Sequence, residues 1–330
     1  MTVTIRFPGR IDNPVQPIPR DRFGRPMVIP PGLTRPTAYT RCTTYVGCLE
    51  DTFNLARWQQ RMVALGLAAR PDLVLAVSAS KPDDTAGLNR IAEQALEAAK
   101  GSAAATTGTA LHSLTERIDR GEPLPIVPAA HLDDLDAYRD ATAELEPVHI
   151  EQFTVLDEMR IGGTPDRVVR YRGKGYIADV KTGSISYGTG KIAMQLAVYS
   201  RSMRYDHATG ERTPYALPVD THQGIVIHLP AGTGTCQLHW IDLDAGWAAV
   251  QLARQVREWR SRTGLLAEWD SPTPGDGPAD PVAAAVAAIN TAVTVDEVRN
   301  VYAAHVASGV DGDLILPTCL ARKSELEAAS

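Results

Sequence analysis

The sequence predicts an α/β protein: a mixed β-sheet flanked by helices, preceded by a helical N-terminal third and followed by a small helical unit. Three observations lead there. Apolar residues recur at helical spacing through the first third, β-branched runs joined by tight turns fill the middle, and helical patterning returns beyond a segment rich in Pro, Gly and Asp. A chain of 330 residues with 44% apolar content can build one substantial core and a small second one, at about 150 residues per domain.

Residues 1–36 hold eight prolines and six arginines against two aspartates, a composition that opposes helix and predicts an extended arm over the surface. Such an arm either packs on its own domain or reaches DNA or a neighbouring subunit. The main domain is expected over 37–269. It opens with a helix from about Asp51, whose Leu55, Trp58, Met62 and Leu65 recur at helical spacing and whose end lies near Gly66. Further helices are predicted over Asp84–Lys100 (Leu88, Ile91, Ala95 and Leu96 inward), Thr107–Arg120 (Leu111, Leu114 and Ile118 inward, Gly121 as the stop) and Leu132–Leu145.

At Glu151 the pattern changes. EQFTVLDEMRI, GTPDRVVRYR and GYIADVK read as three consecutive strands, the last two joined through Arg172-Gly173-Lys174-Gly175. A helix over Thr189–Arg204, strands over Gly224–Leu229 and Thr235–Leu243, and a helix over Gly246–Trp269 complete the domain. Residues 270–281, DSPTPGDGPADP, read as a linker to a helical unit over 282–330, in which Thr294-Val-Asp-Glu297 has capping-box spacing.

The net charge of −6 is unevenly spread. From Asp270 onward nine acids meet three bases, so that tail carries the whole excess, while 151–204 holds nine bases against five acids and leaves room for a local positive surface. DNA is therefore not excluded as a partner. No apolar run approaches the roughly 18–20 residues of a membrane span, and MTVTIRFPGR lacks a secretory pattern, which predicts a cytoplasmic protein without a membrane partner. Cys42, Cys48, Cys236 and Cys319 are scattered without zinc-site spacing and are expected to be reduced.

Chemistry concentrates in Gly163-Thr164-Pro165-Asp166 and, across a hairpin, Asp179-Val180-Lys181-Thr182-Gly183. A turn centred on Gly173-Lys174 sets Asp166 opposite Lys181, and strand alternation gives Asp179 the same face. Three charges gathered in a core are costly unless they serve a purpose, and a divalent cation supplies one. Two carboxylates can hold Mg²⁺ or Mn²⁺, one ion or two, with the Val180 carbonyl as a further oxygen ligand. Lys181 would then orient or deprotonate water and stabilise developing charge. His112, on the helix over Thr107–Arg120, is a third candidate ligand, with Glu116 one turn later as a possible auxiliary. Taken alone, His112 reads as a structural histidine, and the strand carboxylates are what make it a ligand candidate. Gln195 and Tyr199 share a face of the following helix, where they could meet a phosphate or steady the lysine.

In this order, helix with His112, Gly-Thr-Pro-Asp166, Asp179-Val-Lys181-Thr-Gly and Gln195-x-x-x-Tyr199, the chain resembles the RecB-like exonucleases of the PD-(D/E)XK superfamily, the CRISPR-associated and bacteriophage recombination type. The resemblance spans about Thr107–Tyr199 and, less specifically, Tyr39–Leu67. It implies a PD-(D/E)XK core, metal binding by His112, Asp166 and Asp179, catalysis by Lys181, and a DNA-facing helix with Gln195 and Tyr199. It also implies non-sequence-specific action on duplex ends and a single-strand annealing recombinase as partner. Relatives with an iron–sulfur cluster group three cysteines near the C-terminus. Cys236 and Cys319 stand apart, so no cluster is expected here. The nearest Walker-like string, Gly188-Thr-Gly190-Lys191-Ile192, has Ile185 in place of the first glycine, which implies a nuclease without a helicase motor. A non-cleaving DNA-binding scaffold and an endonuclease remain the alternatives.

Overall fold

The computed structural model describes residues 17–99, 103–266 and 280–328. Two compact units divide between Ser261 and Arg262, an α/β unit with two mixed sheets and an all-helical unit. The predicted linker lies for the most part outside the described residues, as do the first sixteen residues of the predicted arm.

Strands β1 (Met27–Val28), β2 (Thr37–Ala38) and β3 (Thr40–Arg41) lead into helices α1 (Cys42–Val46), α2 (Phe53–Ala69), α3 (Pro71–Ala79), α4 (Thr85–Ala98), α5 (Ala103–Asp119) and α6 (Leu132–Ala141). The described part of the arm folds back on its own domain. β1 pairs antiparallel with β2, and Val28 and Ile18 pack with Tyr39, Phe153, Val155 and Tyr205. In α4 the expected stripe is inward, through Ile91 and Ala95.

The expected stripe of α2 is not. Leu55 is 53% exposed and Leu65 61%, and the helix meets its neighbours through Val63, Gly66 and Leu67 instead. The helix ends at Ala69, close to Gly66 as expected, and Gly66 itself lets it cross α4. A Cβ there would stand 1.8 Å from the Ala95 carbonyl oxygen, so backbone contact outcompetes the side-chain stripe for the core.

The rest of the unit comprises β4 (Glu146–Ile150), β5 (Thr154–Leu156), β6 (Ile161–Gly163), β7 (Arg167–Tyr171), β8 (Lys174–Lys181), α7 (Thr189–Ser200), β9 (Met203–Tyr205), β10 (Arg212–Thr213), β11 (Gln223–His228), β12 (Gln237–Asp242) and α8 (Leu243–Arg260). One sheet has the order β12-β11-β8-β7-β4, with only β11 and β8 parallel; the other has the order β10-β9-β5-β6-β3, with only β6 and β3 parallel. The first sheet packs α7 and α8 on one face, through Val168, Ile177 and Val226. Its other face, through Val169, Tyr176, Ala178 and Val180, meets Tyr138 of α6 and Ile118 of α5.

The run EQFTVLDEMRI is not one strand. It breaks at a short 3₁₀ turn over Asp157–Met159 and at Arg160, whose φ of 50° is left-handed, and its two halves pair with each other in the second sheet. The missing neighbour of β7 is β4, drawn from residues between the predicted helix and the predicted strand, to which no element was assigned.

In the helical unit, α9 (Pro281–Thr291), α10 (Val295–Ala307) and α11 (Gly312–Ala328) enclose Ala285, Ile289, Val298, Val310, Ile315 and Cys319. The Thr294 hydroxyl caps α10 by accepting from the Glu297 N–H at 3.2 Å, and Glu297 Oε2 accepts from the Val293 N–H at 2.7 Å, one residue before the usual capping-box donor. Among the described residues no single helix is long and apolar enough to cross a membrane.

Asp157 joins the second sheet to the N-terminal strands. Its carboxylate accepts from Tyr39 Oη at 2.7 Å and from Arg212 Nε and Nη2 at 2.9 and 2.8 Å. Burial pushes this carboxyl up, and the Arg212 and Tyr39 hydrogen bonds more than offset that, leaving it below its ordinary value. Its contribution to stability is therefore complete above the unfolded-state value, near 4, and is lost as pH falls through the lower folded value. Asp157→Asn is expected to cost about 2 kcal/mol at pH 7, with a smaller deficit near pH 3 in urea unfolding. A deficit constant from pH 7 to pH 3 would show that charge is not what Asp157 contributes.

Candidate functional site

The hairpin β7–β8 turns on Arg172 and Gly173, with φ of 48° and 82°, and pairs Tyr171 with Lys174 and Arg167 with Ala178. The two-residue turn needs positive φ at both central positions. It therefore lies one residue earlier than the sequence suggests, and Asp166 falls opposite Asp179, not Lys181. A one-residue move of the turn changes the pairing by two, so the predicted shared face survives.

Strand β4 extends the row. Ile150 pairs with Arg167, so the next residue, Glu151, falls beside Asp166, and its N–H donates to the Asp166 carbonyl at 3.1 Å. Glu151, Asp166 and Asp179 thus lie side by side at one end of the sheet, just past β4, just before β7 and near the end of β8. Glu151 was not among the residues singled out by sequence. Its signal was the short Pro-Val-His-Ile run ahead of it, which reads as a strand once β7 needs a neighbour. The residue holds a φ of 51°, a conformation that a non-glycine residue adopts at a cost.

His112 reaches this row from α5. Its Nε2 lies 3.2 Å from Asp166 Oδ2 and 2.9 Å from the Val180 carbonyl oxygen, while Asp166 Oδ2 accepts from the Val180 N–H at 2.8 Å. His112, Glu151 and Asp166 each present a ligand atom within 4.8 Å of the others. With the Val180 carbonyl nearby, one imidazole and several oxygens form a donor set that suits Mn²⁺ or Mg²⁺ better than a thiolate-seeking ion. Asp179 is drawn aside into an ion pair with Lys181 and is only 2% exposed. Glu116 accepts from Arg120 Nη1 at 3.0 Å, and its charge is felt at Glu151.

The electrostatics follow from that crowding. Burial, then the neighbouring Asp166 and Glu116 charges, push the Glu151 carboxyl up to about 8. Burial and then Asp166 also push Asp179 up, against the pull of Lys181. Like charges abreast on adjacent strands repel, and a cation among them relieves the repulsion.

Gln195 is half-buried, and Tyr199 is 3% exposed, with its hydroxyl hard against Gly163. Burial pushes the Tyr199 hydroxyl well above its ordinary value, and Cys42, Asp166 and Asp179 add to it. Tyr199 therefore lies beneath the strand carboxylates and away from the solvent surface where a phosphate would arrive. Cys42 is buried against the Gln195 carbonyl, Cys48 faces Ala253, and Cys319 lies in the helical unit. Comparison with known protein families and with curated proteins finds no match for this chain.

A buried ion pair fixes the approach of α5. Arg167 Nε pairs with Asp119, Nη2 donates to Thr115 Oγ1 at 3.1 Å and Nη1 to the Asp166 carbonyl at 2.9 Å. Thr115 Oγ1 in turn donates to the His112 carbonyl at 2.8 Å, and Tyr138 Oη donates to Asp119 at 2.8 Å. Arg167→Met leaves Asp119 charged and buried, at an expected cost of about 3–5 kcal/mol. The double variant Asp119→Leu/Arg167→Met should recover much of that, as urea unfolding of the full cycle would report. Additive losses would mean the two side chains act independently.

Glu151→Gln has opposite expected effects on two measurements. Because its folded-state value lies above its unfolded one, the charged group destabilises the metal-free protein progressively from about pH 4.5 to about pH 8. The glutamine variant should therefore unfold at higher urea at pH 9 in EDTA, yet bind Mn²⁺ about tenfold or more weakly by calorimetry. Unchanged Mn²⁺ affinity would remove Glu151 from the ligand set.

Proposed function

We propose that this protein is a metal-dependent deoxyribonuclease with a PD-(D/E)XK core that degrades linear DNA from its ends. The observation that carries the reading is the row Glu151–Asp166–Asp179, met by His112 Nε2 and the Val180 carbonyl and flanked by the Lys181–Asp179 pair. His112, Asp166, Glu151 and the Val180 carbonyl would hold Mg²⁺ or Mn²⁺, with Asp179 turning in from Lys181 to share it. A bound divalent ion supplies Lewis-acid charge against a phosphate oxygen and acidifies water.

The chain's own groups then do the following. Asp166 is held at Oδ2 by the Val180 N–H, so the carboxylate is oriented on the row before an ion arrives. Lys181, half-buried beside the row and paired with Asp179 before an ion binds, can hold an attacking water and offset charge on the phosphorane-like transition state. The His112 imidazole presents Nε2 to the row. Nothing in this arrangement reads base edges, which fits action on the backbone of any sequence. An annealing protein that takes up the single-stranded product is the partner this activity calls for.

The test is digestion of end-labelled linear and of circular duplex DNA with Mn²⁺, Mg²⁺ or EDTA. Release of labelled mononucleotides or short fragments from linear DNA alone is expected, and Asp179→Asn or Lys181→Ala should lower the rate at least about 100-fold while leaving the fold intact. Undiminished digestion by either variant would refute the mechanism. Cutting of the circle would make the protein an endonuclease, and binding without cutting a scaffold.

A further inference from the structure

The first half of α2 projects without support. Every residue from Asp51 to Arg61 is exposed, and packing begins only near Val63, ahead of the Gly66 crossing with α4. A helix draws most of its stability from an apolar face buried against the fold, yet here Phe53 is 62% exposed, and Leu55 and Trp58 beside it are also open to solvent. Phe53, Arg57 and Arg61 follow at i, i+4 and i+8 and so form one ridge, with the Arg57 guanidinium 5.7 Å from the Phe53 ring and Trp58 alongside. The helix contains no acidic residue, and neither arginine has a carboxylate partner among the described residues.

The base of this helix is fastened beside the candidate site. Glu50 pairs with Lys191 of the first turn of α7 at 2.7 Å. Loop 182–188, which runs from Lys181 into that same turn, carries Tyr187, 99% exposed. The Tyr187 ring thus follows the end of β8, and the residue three before α2 is tied to the turn that this loop enters.

We propose that Phe53, Arg57, Trp58 and Arg61, with Tyr187, form a binding track for single-stranded polynucleotide. Two requirements select this occupant. The uncompensated guanidiniums call for an anion, and the exposed rings call for flat apolar partners. A single strand supplies phosphates and unstacked bases together, whereas in a duplex the base faces are already occupied. A second copy of the chain is disfavoured, because two α2 ridges set face to face would gather four arginines with no acid between them. The inference rests on the nuclease reading for the direction of the strand, from the Lys181 site outward along α2, but not for the binding itself.

The test uses the full chain in EDTA, which prevents cleavage, and a fluorescein-labelled oligothymidylate of about 20 nucleotides followed by anisotropy. Phe53→Ala/Trp58→Ala is expected to weaken binding about tenfold or more. Arg57→Gln/Arg61→Gln should also weaken it and lower the slope of log affinity against log salt by about 1.4. Trp58→Phe, which keeps a ring, should retain most of the affinity even if the alanine pair folds poorly. A blunt duplex hairpin should be bound with little dependence on any of these changes. Wild-type affinity in both double variants overturns the proposal. So does a dimer in sedimentation that the alanine pair dissolves while strand binding stays unchanged. Metal-dependent digestion measured in parallel separates the two readings: weakened strand binding without digestion in any metal keeps the track and removes the nuclease, and normal digestion with unaffected strand binding does the reverse.

Discussion

The candidate site depends on one buried ion pair. Asp119 and Arg167 are both nearly inaccessible, and burying two charges is costly unless every donor and acceptor is used. Here they are used. Arg167 spends one nitrogen on Asp119, one on Thr115 and one on the Asp166 carbonyl, and Asp119 takes a further hydrogen bond from Tyr138. The pair therefore joins three elements, α5, α6 and β7. It also holds the backbone of His112, through Thr115, in a fixed relation to that of Asp166. Replacing the pair with apolar residues could leave the fold standing, but it would free α5 to shift along the sheet, and the His112-to-Asp166 distance would no longer be set.

The same economy of position operates across the strands. Glu151, Asp166 and Asp179 stand abreast at one sheet end, where a regular sheet would place residues that attract. Each is held there by backbone as much as by side chain. The Glu151 N–H is committed to the Asp166 carbonyl, and the Asp166 carboxylate to the Val180 N–H. The left-handed φ at Glu151 belongs to this arrangement, because it ends β4 and turns the carboxylate toward the row at the cost of local strain. Repulsion among the three is thus built in, and it is expressed in the raised Glu151 and Asp179 carboxyls.

What was legible in the sequence follows from the range of the interactions involved. The face shared by Asp166, Asp179 and Lys181 is a two-residue periodicity read through a tight turn, so it tolerated a one-residue error in the turn's position. The helices near His112 and Leu88–Leu96 carried an apolar stripe that does face the core. Glu151 was hidden because its strand is short, contains a proline and is bulged between Pro147 and His149, so it lacks clean alternation. The α2 stripe misled for the opposite reason. Leu55, Trp58, Met62 and Leu65 are periodic, but periodicity reports that a face is apolar and not what covers it.

Two glycines near the candidate site show how helix and sheet come so close. A Cβ on Gly163 would stand 2.7 Å from the Tyr199 hydroxyl and 3.0 Å from Cys42 Cβ, and one on Gly108 would stand 2.7 Å from Thr182 Oγ1. The first glycine admits α7 under the strand that leads to Asp166, and the second admits α5 over the residue that follows Lys181. In the string Gly-Thr-Pro-Asp the glycine therefore serves the packing of Tyr199 more than the turn itself, since Gly163 has an ordinary negative-side backbone. An alanine at Gly163 would have to displace a buried tyrosine whose own surroundings are Asp166, Asp179 and Cys42. The carboxylate row, the buried tyrosine and the absent side chain are thus one packing solution, in which a missing methyl group on one strand sets how near the helix beneath can come to the charges above it.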